Sequence, residues 1–126
     1  MSDQSLRQAK TIRVLIVEDE YLVALNIATI LEEAGCEIVG IAGSVPKALR
    51  LLDDEGCDAA VLDGNLHGLS SEPVAAALRQ HGKPFLMLSG YAANQPQSGP
   101  AEAPYLAKPY LPADLVAAVL ALKRDR

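Results

Sequence analysis

Four separated polar stretches of this chain carry the side chains best suited to chemistry on phosphate. They are Glu18-Asp19-Glu20, Asp63, Ser89 and Lys108. Crowded carboxylates resist ionisation beside one another, and a hard cation such as Mg²⁺ relieves the repulsion because it prefers oxygen ligands. An aspartate can also attack phosphorus, while a cation and a lysine offset the charge of the phosphoryl group. If the four stretches meet, the sequence predicts metal-assisted phosphorylation of one aspartate, with Ser89 donating a hydrogen bond to a phosphoryl oxygen.

Apolar runs predict the elements that position these residues. Residues 12–17, 37–42, 59–62, 85–88 and 105–107 are short apolar segments typical of buried strands. Helical periodicity marks 20–34, a segment capped by Ser44, a segment capped by Ser70 or Ser71, and 112–123. Residues 64–70 are predicted to form a loop. The proline-rich segment 94–104 is predicted to form a short or irregular fourth helix, or a mobile loop.

The alternation of strands and helices predicts an α/β fold. Five strand–helix units favour a doubly wound, five-stranded parallel sheet with helices on both faces. In such sheets ligands bind beyond the carboxyl ends of the strands. The four polar stretches follow strands, so we expect them to converge at that edge.

Length and composition indicate one domain with an aliphatic core. The chain has 126 residues, half of them hydrophobic, but only four Tyr, one Phe and no Trp. We interpret 1–11 as a flexible polar leader and 12–126 as the folded domain. A net charge of −5 argues against a general nucleic-acid binder, which needs a basic face.

The sequence also bears on where the protein works. No apolar run reaches the roughly 18 residues that span a bilayer, and the polar leader does not resemble a secretory signal. Cys36 and Cys57 form neither a disulfide framework nor a metal-ligand cluster. We therefore expect a reduced, cytoplasmic protein that has no membrane partner.

Four motifs in order carry a family resemblance. Residues 12–20 read IRVLIVEDE, 61–66 read VLDGNL, 87–90 read MLSG and 108–110 read KPY. Over about 12–122 the chain resembles the receiver domain of two-component response regulators. The resemblance implies a flavodoxin-like (βα)5 fold with strand order 2-1-3-4-5.

The resemblance assigns roles in phosphorylation. Asp63 matches the phosphoacceptor, and Asp19 matches a direct Mg²⁺ ligand. Glu18 matches a second acid that acts through water, and Asn65 matches the residue whose backbone carbonyl binds the metal. The implied protein accepts a phosphoryl group and catalyses only its own phosphorylation and dephosphorylation, so it is not an enzyme in the ordinary sense.

The resemblance also assigns a switch. Ser89 matches the hydroxyl that moves onto the phosphoryl group, Lys108 the cation that pairs with it, and Tyr105 the aromatic that rotates with them. Pro109 stands where the family commonly has a cis peptide bond. Tyr91, together with Asn65, is expected to tune dephosphorylation.

Residues 84–91, which read PFLMLSGY, narrow the resemblance. With KPY they resemble the "FAT GUY" receivers of alphaproteobacterial stress signalling, although Met-Leu-Ser replaces Ala-Thr. The implied donor is a histidine kinase, of the HWE or a related class, or a histidine phosphotransfer protein. The sequence does not name the downstream partner. His67 departs from the family, because many receivers have proline there, and the step from Ser89 to Lys108 is a few residues short.

Three alternatives remain open at this stage. A stand-alone receiver, which we expect because no output domain follows, could serve as a phosphate sink or shuttle instead of a switch. A haloacid-dehalogenase-like phosphatase also uses an Asp nucleophile, but it needs a second acid where Asn65 stands. A flavodoxin-like cofactor binder is disfavoured, because no glycine-rich phosphate loop follows the first strand.

Overall fold

A computed structural model describes residues 11–90 and 104–124, with side chains as far as Leu122. In chain order the elements are β1 (Arg13–Val17), α1 (Tyr21–Glu33), β2 (Glu37–Ala42), α2 (Val45–Glu55), β3 (Ala59–Asp63), β4 (Asn65–Leu66), β5 (Leu69–Ser70), α3 (Glu72–Gln80), β6 (Phe85–Ser89), β7 (Tyr105–Ala107) and α4 (Pro112–Arg124). The five predicted strands and the helices between them are confirmed within one or two residues at most ends. The predicted fourth helix, within 94–104, and most of the leader lie outside the described residues.

The main sheet is parallel and has the order β2-β1-β3-β6-β7. With the two-residue strands β4 and β5 set aside, this is the expected order 2-1-3-4-5, which is therefore confirmed. Val17 pairs with Leu62 and Asp63 pairs with Leu88, so the central strands end almost level. This level edge brings the residues that follow β1, β3 and β6 to one side of the sheet.

The two faces of the sheet have separate aliphatic cores. Ile16 of β1 packs with residues of α1 and α4, whereas Leu15 of β1 packs with residues of α2 and α3. Four of the five residues of β1, and all five of β3, are buried. Strands covered on both faces read as continuous apolar runs, and this is why the sequence pattern located them.

Local capping signals define two helix ends. The Ser44 hydroxyl accepts a hydrogen bond from the Lys47 N–H at 3.3 Å, and so caps α2. Gly35, just after α1, has φ +98°, a conformation that suits glycine. At α3 the Ser70 hydroxyl accepts from the Glu72 N–H at 2.9 Å, whereas Ser71, at the N-cap position, makes no side-chain capping bond.

The prediction of a plain loop over 64–70 is wrong. Asn65 pairs with Ser70 and Leu66 pairs with Leu69, which makes β4 and β5 an antiparallel hairpin. Its two-residue turn is His67-Gly68, with φ +55° and +83°. We call residues 65–70 the site hairpin, because it begins two residues after Asp63.

Two further expectations concern membranes and thiols. Of the helices within the described ranges, none is both long and apolar enough to cross a lipid bilayer. Cys36 and Cys57 are buried and free of disulfides. Burial raises the pKa of the Cys57 thiol to about 11, so this group stays protonated and unreactive at neutral pH.

Candidate functional site

The carboxyl edge of the sheet brings the predicted site residues together from different strands. Glu18 and Asp19 follow β1, Asp63 ends β3, and Lys108 follows β7. Ser89, at the end of β6, pairs with Ala107, and its carbonyl accepts a hydrogen bond from the Lys108 N–H at 2.9 Å. Sheet register therefore places residues about 90 positions apart in sequence beside one another.

Three carboxylates form an acidic pocket at this edge. Glu18, Asp19 and Asp63 each place an oxygen within 4.8 Å of the others. Glu18 and Asp63 are only 3% and 8% exposed, whereas Asp19 lies closer to solvent. We call these three residues the acidic pocket. Their mutual repulsion in a poorly hydrated setting would be relieved by a bound cation or by a proton.

Glu18 carries the clearest electrostatic signature of the pocket. Burial raises its pKa from 4.5 to about 7, against the opposing effect of the Glu20 N–H, which donates to Glu18 Oε2 at 3.1 Å. The nearby Asp63 carboxylate raises the pKa further and Lys108 lowers it. Within the described part of the chain, Glu18 Oε1 is buried without a hydrogen-bond partner. Such an oxygen needs a proton or a cation.

Asp63 is held by one contact at each carboxylate oxygen. The Asn65 N–H donates to Oδ1 at 3.1 Å, and Lys108 Nζ lies 3.3 Å from Oδ2. Both contacts orient the carboxylate. Asp63 is thus fixed in direction, with the acidic pocket on one side and a positive charge on the other.

The site hairpin is tied to the acidic pocket at two points. Besides the bond from Asn65 to Asp63, the His67 N–H donates to Asp19 Oδ2 at 3.1 Å. The Asn65 side chain is used within the hairpin, because its Oδ1 accepts from the Gly68 N–H at 2.6 Å. The side chain of Asn65 therefore stabilises the turn. Its backbone carbonyl is the group that the family resemblance assigns to a metal.

The remaining predicted residues lie around this centre. Tyr105, the first residue of β7, is 37% exposed. It pairs with Met87, two residue pairs before the pair of Ser89 and Ala107. The Lys108–Pro109 peptide bond is cis. Tyr91 lies outside the described residues. The roles of Ser89, Tyr105 and Tyr91 in a switch stay predictions.

Sequence reasoning missed two residues of the site. His67, which the sequence analysis noted only as a departure from the family, is exposed, and its Nδ1 lies 3.2 Å from Asp19 Oδ2. Tyr110 is half-buried, and burial together with the charges of Glu18 and Asp63 raises the pKa of its phenol. The KPY motif contains Tyr110, so its place was available as a signal, whereas nothing in the sequence pairs residue 67 with residue 19.

The donor set of the acidic pocket fits a hard divalent cation. It offers oxygen ligands on three side chains, one of them a buried oxygen without a partner in the described chain. Mg²⁺ takes oxygen ligands and keeps several waters, for which a pocket open on the Asp19 side leaves room. Glu18, Asp19, Asp63 and the Asn65 carbonyl are the groups that could hold it.

The doubly wound sheet and the acidic pocket beside a lysine define a class of signalling domain. Residues 14–120 match the family described as the response regulator receiver domain, and the chain belongs to this family. Receiver domains act in phosphorylation-dependent signalling and are not conventional enzymes. The family membership inferred from the four motifs is thereby confirmed.

Particular relatives extend this result. The chain is 32% identical over 121 residues to the transcriptional regulatory protein PdtaR of Mycobacterium tuberculosis, covering 90% of this chain and 58% of PdtaR. It is 36% identical over 119 residues to the transcriptional regulatory protein PrrA of Mycobacterium bovis, covering 90% of this chain and 51% of PrrA. The chain thus spans little more than half the length of these curated relatives.

Solved structures show the same fold. SdrG from Sphingomonas melonis is 38% identical, with a TM-score of 0.76, and the match covers 90% of this chain and 97% of SdrG. The response regulator PhyR from Brucella abortus is 28% identical, with a TM-score of 0.78, and the match covers 90% of this chain and 47% of PhyR. The similarity to SdrG therefore extends over nearly the whole of both chains.

Proposed function

We propose that this protein is a phosphorylation-dependent switch that accepts a phosphoryl group on Asp63. The observation that carries the proposal is the setting of Asp63, which lies between the acidic pocket and the Lys108 ammonium group at 3.3 Å. A carboxylate held in this way is a directed nucleophile with positive charge beside the place where phosphoryl oxygens arrive.

We propose Mg²⁺ as the cofactor, held by Glu18, Asp19, Asp63 and the Asn65 carbonyl. When bound, it offsets negative charge on the reacting phosphoryl group. The chain's own residues position the nucleophile and limit its contact with water. Lys108 and the Asn65 N–H orient the Asp63 carboxylate, and the burial of Asp63 limits access of bulk water to its oxygens.

The switch itself is proposed to run through β6 and β7. Ser89 and Tyr105 lie on these neighbouring strands, and the Ser89 carbonyl is hydrogen-bonded to the Lys108 N–H. A phosphoryl group on Asp63 that binds the Ser89 hydroxyl and Lys108 would favour a second arrangement of these strands. The phosphoryl group shifts the equilibrium between the two arrangements only if it interacts more favourably with the second arrangement than with the first.

The proposed donor is a phosphohistidine on a histidine kinase or a histidine phosphotransfer protein. The family supports this class of donor, since receiver domains interact with histidine kinases or phosphotransfer proteins. A phosphatase of the haloacid-dehalogenase type is disfavoured, because Asn65 takes the place of its second acid and its amide oxygen is bound to the Gly68 N–H.

The first test is modification by a small phosphodonor. With acetyl phosphate and Mg²⁺, intact-mass measurement should show one added phosphoryl group, and Asp63→Asn should abolish it. Asp54→Asn, a change to an exposed aspartate on α2, is the matched control and should be modified like the original chain. Full modification of Asp63→Asn would show that the assignment of the phosphoacceptor is wrong.

A second test separates a switch from a phosphate sink. The protein, treated or untreated with beryllofluoride and Mg²⁺, is used to capture partners, with Asp63→Asn as the control. A switch predicts a non-kinase partner whose affinity changes with beryllofluoride only when Asp63 is present. If only the kinase responds, the sink is the better description.

A further inference from the structure

We propose that the side chain of Asn65 makes it a positioning residue for the cation of the acidic pocket. By closing the turn of the site hairpin, this side chain holds in place the backbone N–H groups that orient Asp19 and Asp63. The inference rests on the proposed function, because it concerns the same cation site. It is separate from the tuning of dephosphorylation that the resemblance implies for Asn65, since the side chain acts here through the hairpin.

The hydrogen bond that closes the turn is the first supporting observation. The Gly68 N–H donates to Asn65 Oδ1 at 2.6 Å, and we call this contact the turn bond. Asparagine side chains commonly hold turns by accepting from backbone groups that follow closely in the chain. Asn65 is also the first residue of β4 and pairs with Ser70. The turn bond therefore ties the tip of the hairpin to its base.

Both aspartates of the proposed cation site are held from this same short segment. The Asn65 N–H donates to Asp63 Oδ1 at 3.1 Å, and the His67 N–H donates to Asp19 Oδ2 at 3.1 Å. His67 lies between the two residues that the turn bond joins. The position of its N–H group, and with it the direction of the Asp19 carboxylate, therefore depends on the closed turn.

The hairpin has little packing to hold it in place. Leu66 is buried, whereas the other five residues of 65–70 are exposed. Segments with few buried apolar contacts open locally at a low cost in free energy. The order of this hairpin therefore depends largely on its hydrogen bonds. Because Asn65 itself is exposed, its side chain can be changed without altering the core.

The orientation of the two aspartates bears directly on cation binding. Groups that orient the direct ligands of a metal typically change metal affinity by about 10- to 100-fold when they are removed. The N–H groups of Asn65 and His67 stand behind Asp63 and Asp19 in this way. The turn bond acts one contact further from the ion, so its loss should have an effect at the lower end of that range.

The test combines Mg²⁺ affinity with the order of the hairpin in the cation-free protein. Asn65→Ala removes the acceptor, and calorimetric titration should show about tenfold weaker Mg²⁺ binding. Without divalent ions, amide hydrogen exchange at Gly68 and His67 should be about two- to tenfold faster in Asn65→Ala, the change expected for one hydrogen bond. Exchange at Val61, in the buried strand β3, should not change. This comparison separates a local effect from a general loss of stability.

A conservative variant tests whether the acceptor is what matters. Asn65→Ser adds no charge and keeps an oxygen, and at the same separation the Ser44 hydroxyl already accepts from the Lys47 N–H. This variant should lose less Mg²⁺ affinity and less protection at His67 than Asn65→Ala. Leu69→Ala, a change to a hairpin side chain that is 69% exposed, is the control and should alter neither quantity.

The possible outcomes either support or overturn the inference. Unchanged Mg²⁺ affinity in Asn65→Ala, or an equal loss in Asn65→Ala and Asn65→Ser, would show that the turn bond does not position the cation ligands. Unchanged exchange at His67 in Asn65→Ala would also overturn the inference. If the original chain binds no Mg²⁺, the proposed cation site fails, while the exchange at His67 still decides whether the side chain holds the hairpin.

Discussion

Glu18 shows how one buried side chain makes the stability of a site depend on pH. Its pKa is raised from 4.5 to about 7, chiefly by burial. The folded protein therefore binds the proton more tightly than the unfolded chain does. The resulting stabilisation is fully present below about pH 4.5 and is lost as the pH rises through about 7.

Glu18→Gln should remove this dependence. A shift from 4.5 to about 7 corresponds to about 3 kcal/mol, so the free energy of unfolding of the variant relative to the original chain should rise by up to that amount between about pH 5 and 8. Urea denaturation in the presence of a chelator measures it. Glu20→Gln changes an exposed neighbour and is the control. If the free energies of unfolding of Glu18→Gln and of the original chain depend on pH in the same way, the raised pKa is not that of Glu18.

Individual site residues differed in how far sequence could predict them. Asp19, Asp63 and Lys108 each directly follow or end an apolar strand, so the strand pattern placed them at one edge. The contact between the exposed His67 and the partly buried Asp19 joins groups 48 residues apart, and no periodicity in the sequence indicates such a pair. The nearness of Tyr110 to the acids depends on the path of the chain after β7, which strand signals do not specify.

At the scale of elements, the serines before α2 and α3 look alike in sequence but differ in structure. The Ser44 hydroxyl accepts a hydrogen bond from the Lys47 N–H. Ser71, at the start of α3, is buried, and within the described chain its hydroxyl has no partner. A capping rule applied to the sequence cannot separate these cases, because the backbone angles at the N-cap decide whether the hydroxyl reaches an N–H group.

Replacing each serine by alanine should separate them in stability. Ser44→Ala should lower the free energy of unfolding by about 1 kcal/mol through loss of the cap. Ser71→Ala should be neutral or stabilising, because it removes a buried hydroxyl without a partner. Equilibrium urea unfolding of both variants beside the original chain measures the difference. An equal loss in both would show that Ser71 also caps its helix.

The site hairpin shows where element prediction stops. Strands β4 and β5 have two residues each, too few for an alternating pattern to stand out. The dipeptide His67-Gly68 is also not among the strongest turn signals, since Asn-Gly or Asp-Gly is usual. By contrast, β1 and β3 were predicted because burial on both faces imposes an unbroken apolar run.

At the scale of the whole molecule, the fold and the cation site are thermodynamically linked. The carboxylates of the acidic pocket come from residues after β1 and at the end of β3, so unfolding destroys the site. An ion that binds only the folded state stabilises it in proportion to the logarithm of its concentration.

Mg²⁺ should therefore raise the thermal midpoint of the protein. At about 100 times its dissociation constant, the gain in free energy of unfolding is about 2.7 kcal/mol, which corresponds to a shift of several degrees. Calorimetric scans with and without Mg²⁺ measure it at constant ionic strength. Asp19→Asn should largely lose the shift, and an undiminished shift in that variant would place the ion elsewhere.

The placement of the aromatic residues has an optical consequence. The chain lacks tryptophan, and its single phenylalanine, Phe85, is in the core. Tyr21 begins α1 just after β1, and Tyr105 and Tyr110 lie on either side of the end of β7. Within the described residues, tyrosine emission therefore reports on the edge of the sheet and not on its aliphatic interior. Events near Tyr21, Tyr105 or Tyr110 should change the fluorescence of an unlabelled sample.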